Sequence, residues 1–287
     1  MRKFILLPVL LVIFTFSACS KNSNESKAKF TVITSFYPVY IIAKNVANTA
    51  DGVEVINMTP PITGCLHDYS VTAGDMKLIE KADLFLMNGA GMENFSEEIS
   101  SRYPELKVKA IDKDVEMLEE NPHIWLSLDN MVKMISNCEA LLSEADSSNS
   151  ALYKKNTENY ISEIKSLQKE MHSALVKYKG KKIVTFHEAF PYFAKEFSFE
   201  IASVIEREPG SEPSAKELAE TIKIIKQSKV KAIFAEPQYP KSAAETIAKE
   251  TGAKLFVLDP AVTGSDDTKA YINIMKQNLS VLKKAFD

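Results

Sequence analysis

Long apolar runs are absent from this chain after Phe16, so no later segment could span a membrane. No basic block with interleaved aromatics occurs, which leaves a nucleic-acid partner without support. The HExxH spacing of helical zinc hydrolases is missing as well. Cysteine appears three times and histidine four times in 287 residues. At most one disulfide can form within the chain, and each imidazole is a scarce donor whose setting is worth reading.

What is present begins with a basic start, Met1-Arg2-Lys3, followed by Phe4 to Phe16, apolar apart from Thr15, and then by the small residues Ser17 and Ala18. This is the pattern of a secretory signal over 1–18. Phe16-Ser17-Ala18-Cys19 resembles the bacterial lipobox, with Phe16 where leucine is usual, so Cys19 is expected to carry lipid; the plainer alternative is an ordinary signal peptide with an incidental cysteine. Residues 19–29 are polar and aperiodic and read as a tether. About 260 residues follow, enough for a large core or two domains. Removing Arg2 and Lys3 leaves 33 basic against 38 acidic residues, a formal charge of −5. Outside the cell, Cys65 and Cys138 would be permitted to pair.

Strand-like runs alternate with helical patterns, which predicts an α/β chain built from βαβ units with parallel sheets. In the first half, strands are expected at Phe30 to Thr34, Val53 to Asn57, Leu84 to Met87 and Val108 to Ile111. Helices are expected at Val39 to Ala47, at Asp75 to Lys81 with Asp75 as cap, and at Leu128 to Leu142 with Ser127 as cap. From Ser147 to Tyr178, Leu152, Asn156, Tyr160, Ile164, Leu167, Met171 and Leu175 keep spacings of three and four. No Pro or Gly interrupts this stretch, which predicts a connector helix. Beyond Gly180 the alternation resumes, with strands at Lys182 to Phe186, Phe199 to Ile205, Lys231 to Ala235 and Lys254 to Leu258. The implied domains are 30–146, a connector over 147–179, and 180–287. No sequence repeat links the halves.

Three histidines occupy matching strand-end or loop settings: His67 in GCLHDYS, His123 in NPHIW and His187 in IVTFHEAF. Open α/β sheets bind ligands at such strand ends. Glu236 and Asp259 also follow strands. Three imidazoles and one carboxylate satisfy tetrahedral zinc, whereas manganese favours more oxygen. Affinity should fall as pH drops towards the histidine range near 6.5. Cys65 is open to three readings: thiolate ligand, partner of Cys138, or buried bystander. His172, within the connector, reads as a helix-surface residue, and Trp125 and Tyr69 read as wall or packing residues.

Taken in order, Thr34-Ser35-Phe36-Tyr37-Pro38, His67-Asp68-Tyr69, Asn88-Gly89-Ala90-Gly91, Pro122-His123-Ile124-Trp125, His187-Glu188-Ala189-Phe190, Glu212-Pro213-Ser214, Phe234-Ala235-Glu236 and Leu258-Asp259-Pro260 resemble the metal-specific substrate-binding lipoproteins of ABC importers for zinc and manganese. The resemblance spans nearly all of the chain beyond the tether. It implies two α/β lobes joined by one long helix, with a metal site in the interlobe cleft. It further implies His67, His123 and His187 as ligands and Asp259 as fourth, with Glu236, Cys65 or water as alternatives for that place. Manganese members often carry a carboxylate at the third position, so His187 favours Zn²⁺ over Mn²⁺. The acidic stretch from Asp112 to Asn121 lacks the histidines of many zinc-uptake relatives, which weakens any auxiliary metal-gathering role. The expected function is non-enzymatic: an extracytoplasmic monomer, held to the bacterial cell membrane through Cys19, that delivers zinc to a permease. The competing functions are a zinc hydrolase, with Glu188 or Glu236 as base, and a surface adhesin.

Overall fold

The computed structural model describes residues 30–60, 63–66, 69–205 and 213–287. The lipobox with Cys19, and also His67, Asp68 and Glu212, lie outside these residues. Among the described residues no helix is long and apolar enough to cross a membrane.

The first lobe runs β1 (Phe30–Thr34), α1 (Tyr37–Val46), β2 (Val53–Asn57), α2 (Ala73–Ile79), β3 (Leu84–Met87), α3 (Ser96–Arg102) and β4 (Lys107–Ala110). The second runs β5 (Lys182–Thr185), α6 (Pro191–Phe197), β6 (Glu200–Val204), α7 (Ala215–Ser228), β7 (Ala232–Ala235), α8 (Ser242–Thr251), β8 (Lys254–Val257) and α9 (Ala270–Phe286). Both sheets are parallel, ordered β2-β1-β3-β4 and β6-β5-β7-β8. The halves therefore repeat one topology that leaves no trace in residue identity. In each, the strand order reverses beside the first strand, and the crevice beyond the strand ends at that point is where an open sheet takes a ligand. Apolar β1, β3, β5 and β7 are the inner strands, buried where helices cover both faces.

Helices α4 (Leu128–Ala145) and α5 (Ser150–Leu175) join the lobes. The α5 helix has 26 residues and spans about 39 Å at 1.5 Å per residue; single 3₁₀ turns flank it at Ser147–Asn149 and Val176–Tyr178. Its buried stripe follows the expected spacing from Tyr160 onwards. In the first two turns, however, Tyr153 and Thr157 are buried in place of Leu152 and Asn156. Polar bonding sets that register: the Tyr153 hydroxyl donates to Asp146 at 2.7 Å, and Asn156 Nδ2 donates to the carbonyls of Val46 and Asn48 at 3.0 and 2.7 Å, satisfying the end of α1.

Two other expectations change. Thr72, rather than Asp75, caps α2: its hydroxyl accepts from the Asp75 N–H while the Asp75 carboxylate accepts from the Thr72 N–H. Helix α3 has weak apolar periodicity, buries Ile99 among its side chains and went unread in the sequence. Ser127 caps α4 as expected, accepting from the Asn130 N–H. Cys65 and Cys138 are both free, so the permitted disulfide is not formed. Cys138 sits in the core, where burial pushes its thiol far above the usual range.

A separate apolar cluster around Val184, Phe186, Ile225 and Ile233 packs the second lobe alone, and the larger core runs from Val32 through Trp125 and Tyr160 to Leu282 and so includes both lobes. Trp125 is its interlobe anchor. Its indole N–H donates to the Pro260 carbonyl at 2.7 Å, its own carbonyl accepts from the Tyr271 hydroxyl at 2.7 Å, and its ring meets Phe36 edge-on. At the rim, Tyr37 donates to the Ser265 carbonyl at 2.9 Å, and Asp266 takes both Tyr40 and Lys44. Gly264 lies directly under Tyr37: a Cβ there would fall 2.2 Å from the hydroxyl oxygen.

The crevice of the first lobe is braced by Glu93, which is 6 % exposed and accepts from the Ser35 hydroxyl and the Asn88 and Gly89 N–H groups at 2.7, 2.7 and 3.0 Å. Burial raises its carboxyl to about 7 against the pull of those donors. A carboxyl raised in the folded state adds stability that is fully present below its unfolded value and is lost as pH climbs through the folded one. Between pH 5 and 8 the metal-free protein should therefore lose about 2 to 3 kcal/mol relative to a Glu93→Gln variant, at about 1.36 kcal/mol per unit; urea unfolding of both proteins at the two pH values measures this. Gly264→Ala should cost about 1 to 3 kcal/mol by overpacking against Tyr37, read as a lowered urea midpoint at unchanged slope.

Candidate metal centre

His187 follows β5, and Glu236 follows β7, so the two meet at the crevice of the second lobe. The Oε1 atom of Glu236 accepts from His187 twice, from the backbone N–H at 3.2 Å and from ring Nδ1 at 2.7 Å. His123 enters from the first lobe, between β4 and α4, at the start of a 3₁₀ turn over Ile124–Leu126. Its arrangement is the same: Oδ1 of Asn121 accepts from the His123 backbone N–H and from ring Nδ1, both at 3.0 Å. An acceptor on Nδ1 places a hydrogen there, which leaves Nε2 of each ring as the atom facing inward and, once the ring is neutral, as the lone pair offered to a metal.

Those two Nε2 atoms are 3.2 Å apart, and both rings are 1 % exposed. The sulfur of Cys65 lies 3.3 Å from Nε2 of His123 and 3.4 Å from Nε2 of His187. All three donor atoms lie within 4.8 Å of one another. For a tetrahedral zinc ion with bonds of about 2.0 to 2.1 Å to nitrogen and about 2.3 Å to sulfur, donors sit about 3.3 to 3.6 Å apart. The observed edges of 3.2, 3.3 and 3.4 Å fall slightly short of that spacing, so a small outward adjustment would seat an ion.

The electrostatics favour a cation. Burial works against charge on His187, but the Glu236 carboxylate and the Cys65 side chain outweigh it and hold the imidazole up at about 10. Burial pushes the Cys65 thiol up, with His187 opposing. The Glu236 Oε2 atom is buried with no hydrogen-bond partner among the described residues. The pocket thus holds negative and lone-pair character that positive charge must balance.

Support reaches back into both lobes. Asn88 Nδ2 donates to the Pro122 carbonyl at 3.0 Å, linking the Glu93 brace to the residue before His123. Asn121 Nδ2 donates to the Glu188 carbonyl at 2.7 Å, tying the two histidine loops together, while its own carbonyl accepts from the Tyr192 hydroxyl at 2.8 Å. Tyr239 packs edge-on to His187 and stacks on Phe186.

Of the residues expected from sequence, the structure brings His123 and His187 together, and His67 lies outside the described residues. Asp259 follows β8 but stands outside the converging group: its Oδ1 accepts from the Ala261 N–H at 2.8 Å, and burial raises its carboxyl. His172 is on the surface of α5, against Phe197 and Glu196. Glu188 is exposed, and Glu236 is committed to His187, so neither is placed as the general base that a hydrolase needs. Asn121 went unread in the sequence, although its position two residues before His123 is a signal for a ring-orienting acceptor.

Comparison with known proteins places the chain in a family. Residues 32–285 match the family model described as zinc-uptake complex component A, periplasmic. The zinc-binding lipoprotein AdcA of Streptococcus pneumoniae R6 is 31 % identical over 314 residues, covering 100 % of this chain and 62 % of its own length, so the chain spans under two thirds of that relative. The high-affinity zinc uptake system protein ZnuA of Bacillus subtilis 168 is 31 % identical over 300 residues, covering 96 % of this chain and 93 % of its own. The substrate-binding protein FpvC of Pseudomonas aeruginosa, solved with Mn²⁺, superposes with a TM-score of 0.80 at 28 % identity, covering 89 % and 97 % of the two chains. The family is one of uptake components rather than enzymes, and with nearly the whole folded chain matched, this protein belongs to the ZnuA family, zinc-uptake complex component A.

Proposed function

We propose that this chain captures Zn²⁺ in the cleft between its lobes and delivers it to an ABC permease. In this reading it works outside the cytoplasm as a monomer, held to the membrane by lipid on Cys19, with lobes over 30–146 and 180–287 and a connector over 147–179. The observation that carries the reading is the convergence of two oriented Nε2 lone pairs, one from each lobe, at 3.2 Å. His67 and Asp259 are the remaining candidates from the sequence. His67 follows the segment that carries Cys65, and Asp259, which stands outside the converging group, would have to approach it to complete the shell with a carboxylate. Transfer of the ion requires no bond-making reaction, in keeping with a site that lacks a placed base.

Titration calorimetry of the metal-stripped protein should show one Zn²⁺ bound per chain. His123→Ala or His187→Ala should weaken binding by about tenfold or more, because each removes a ligand from a shell of three or four. Unchanged affinity in either variant contradicts the assignment. Zinc at 1,000 times its dissociation constant should stabilise the fold by about 4 kcal/mol, seen as a rise in the unfolding midpoint that chelator reverses.

A further inference from the structure

We infer that Cys65 is itself a ligand, so that the site is a mixed sulfur and nitrogen centre built for a thiophilic divalent cation of the zinc and cadmium kind and against manganese. This rests on the reading of the cleft as a metal-capture site and specifies its chemistry.

Three observations carry it. The sulfur makes near-equal approaches of 3.3 and 3.4 Å to two nitrogens that are themselves 3.2 Å apart. Nδ1 of each ring is given to Asn121 or Glu236, so Nε2 is the ring atom that faces the other ring and the sulfur. One ion at the centre of this near-equilateral triangle contacts all three donor atoms at once. The second observation is that Cys65 is unpaired with Cys138, so its sulfur is not consumed by a disulfide. The third is local. Leu66 is fully buried, and Gly64 lies against Tyr239, whose hydroxyl would be 3.1 Å from a Cβ there, so the segment is packed on both sides with the sulfur directed at the histidines.

The donor set then selects the cargo. A metal-bound cysteine gives up its proton, and thiolate is a soft ligand favoured by zinc and other thiophilic ions, while manganese prefers carboxylate, carbonyl and water. A serine in this place would offer a hard oxygen and lose that discrimination.

Cobalt(II) loading of the full chain in detergent provides the direct test. The wild-type and Cys138→Ser proteins should show an intense near-ultraviolet thiolate-to-cobalt charge-transfer band, and Cys65→Ser should lack it while keeping the weaker visible bands of cobalt on nitrogen. Cys65→Ser should also bind zinc about tenfold or more weakly in calorimetry, and a hundredfold excess of Mn²⁺ should leave zinc on the wild type. Wild-type protein that binds cobalt and zinc without the charge-transfer band overturns the sulfur ligand but leaves metal capture standing. Full zinc affinity in Cys65→Ser overturns the sulfur ligand in the same way. Displacement of zinc by manganese overturns the proposed selectivity. A wild-type protein that binds none of these ions overturns the capture reading itself. Because the band is read on wild-type protein, a Cys65 variant that fails to fold does not remove the test.

Discussion

Two imidazoles delivered from opposite lobes face each other through Nε2 at 3.2 Å with their Nδ1–H groups turned away, an arrangement that calls for positive charge, a proton or an ion, between them. The surrounding packing keeps them there. One carboxylate oxygen and one amide oxygen each hold a backbone N–H together with a ring Nδ1–H, so that tautomer, ring plane and main chain are fixed by a single acceptor. Asn121 then links the first histidine loop to the second through the Glu188 carbonyl. The cost of bringing two lone pairs and a sulfur together in a dry pocket is offset by a core continuous across both lobes, anchored at Trp125. The donor geometry is set in advance, so an ion entering this pocket would need little binding energy to order these groups.

The fold explains why donors so far apart in sequence can meet. Each lobe repeats the same parallel topology, and each opens its crevice beside its first strand, where the order reverses. His187 and Glu236 follow the two strands that flank that point in the second lobe. In the first lobe the corresponding crevice holds the Glu93 brace, which acts through Asn88 and Pro122 on the main chain before His123. The two crevices face each other because α5 and the Trp125 contacts fix the lobes in register. One half supplies an imidazole with its carboxylate partner; the other supplies an imidazole supported by a buried carboxylate two contacts away.

Much of this was legible in residue order. The strands β1, β2 and β3 have the bounds that their apolar runs imply, and Ser127 caps α4 as its hydroxyl suggests. Departures occur where polar bonding outweighs periodicity. Tyr153 and Asn156 shift the buried stripe of the connector by one residue because their side chains bond Asp146 and the end of α1. Asp75 reads as a cap but serves as the return partner of Thr72 in a reciprocal pair. Helix α3 buries too little to leave a period. At the site, His123 and His187 announce themselves by scarcity and setting, whereas Asn121 has an ordinary loop residue's appearance.

Residue order by itself therefore determined the alternation of strand and helix, the long connector and the identity of the scarce donors. These are local properties, set by apolar period and by the chemistry of single side chains. Which donors converge was decided only by the tertiary structure. Cys65 stands 58 residues from His123 and 122 from His187, and no pattern of neighbours encodes a contact at that range. Long-range packing placed its sulfur beside two imidazoles instead of Cys138, and drew Asp259 towards the Ala261 main chain. Distances of this kind come from how two lobes close on each other, and closure is a property of the whole core.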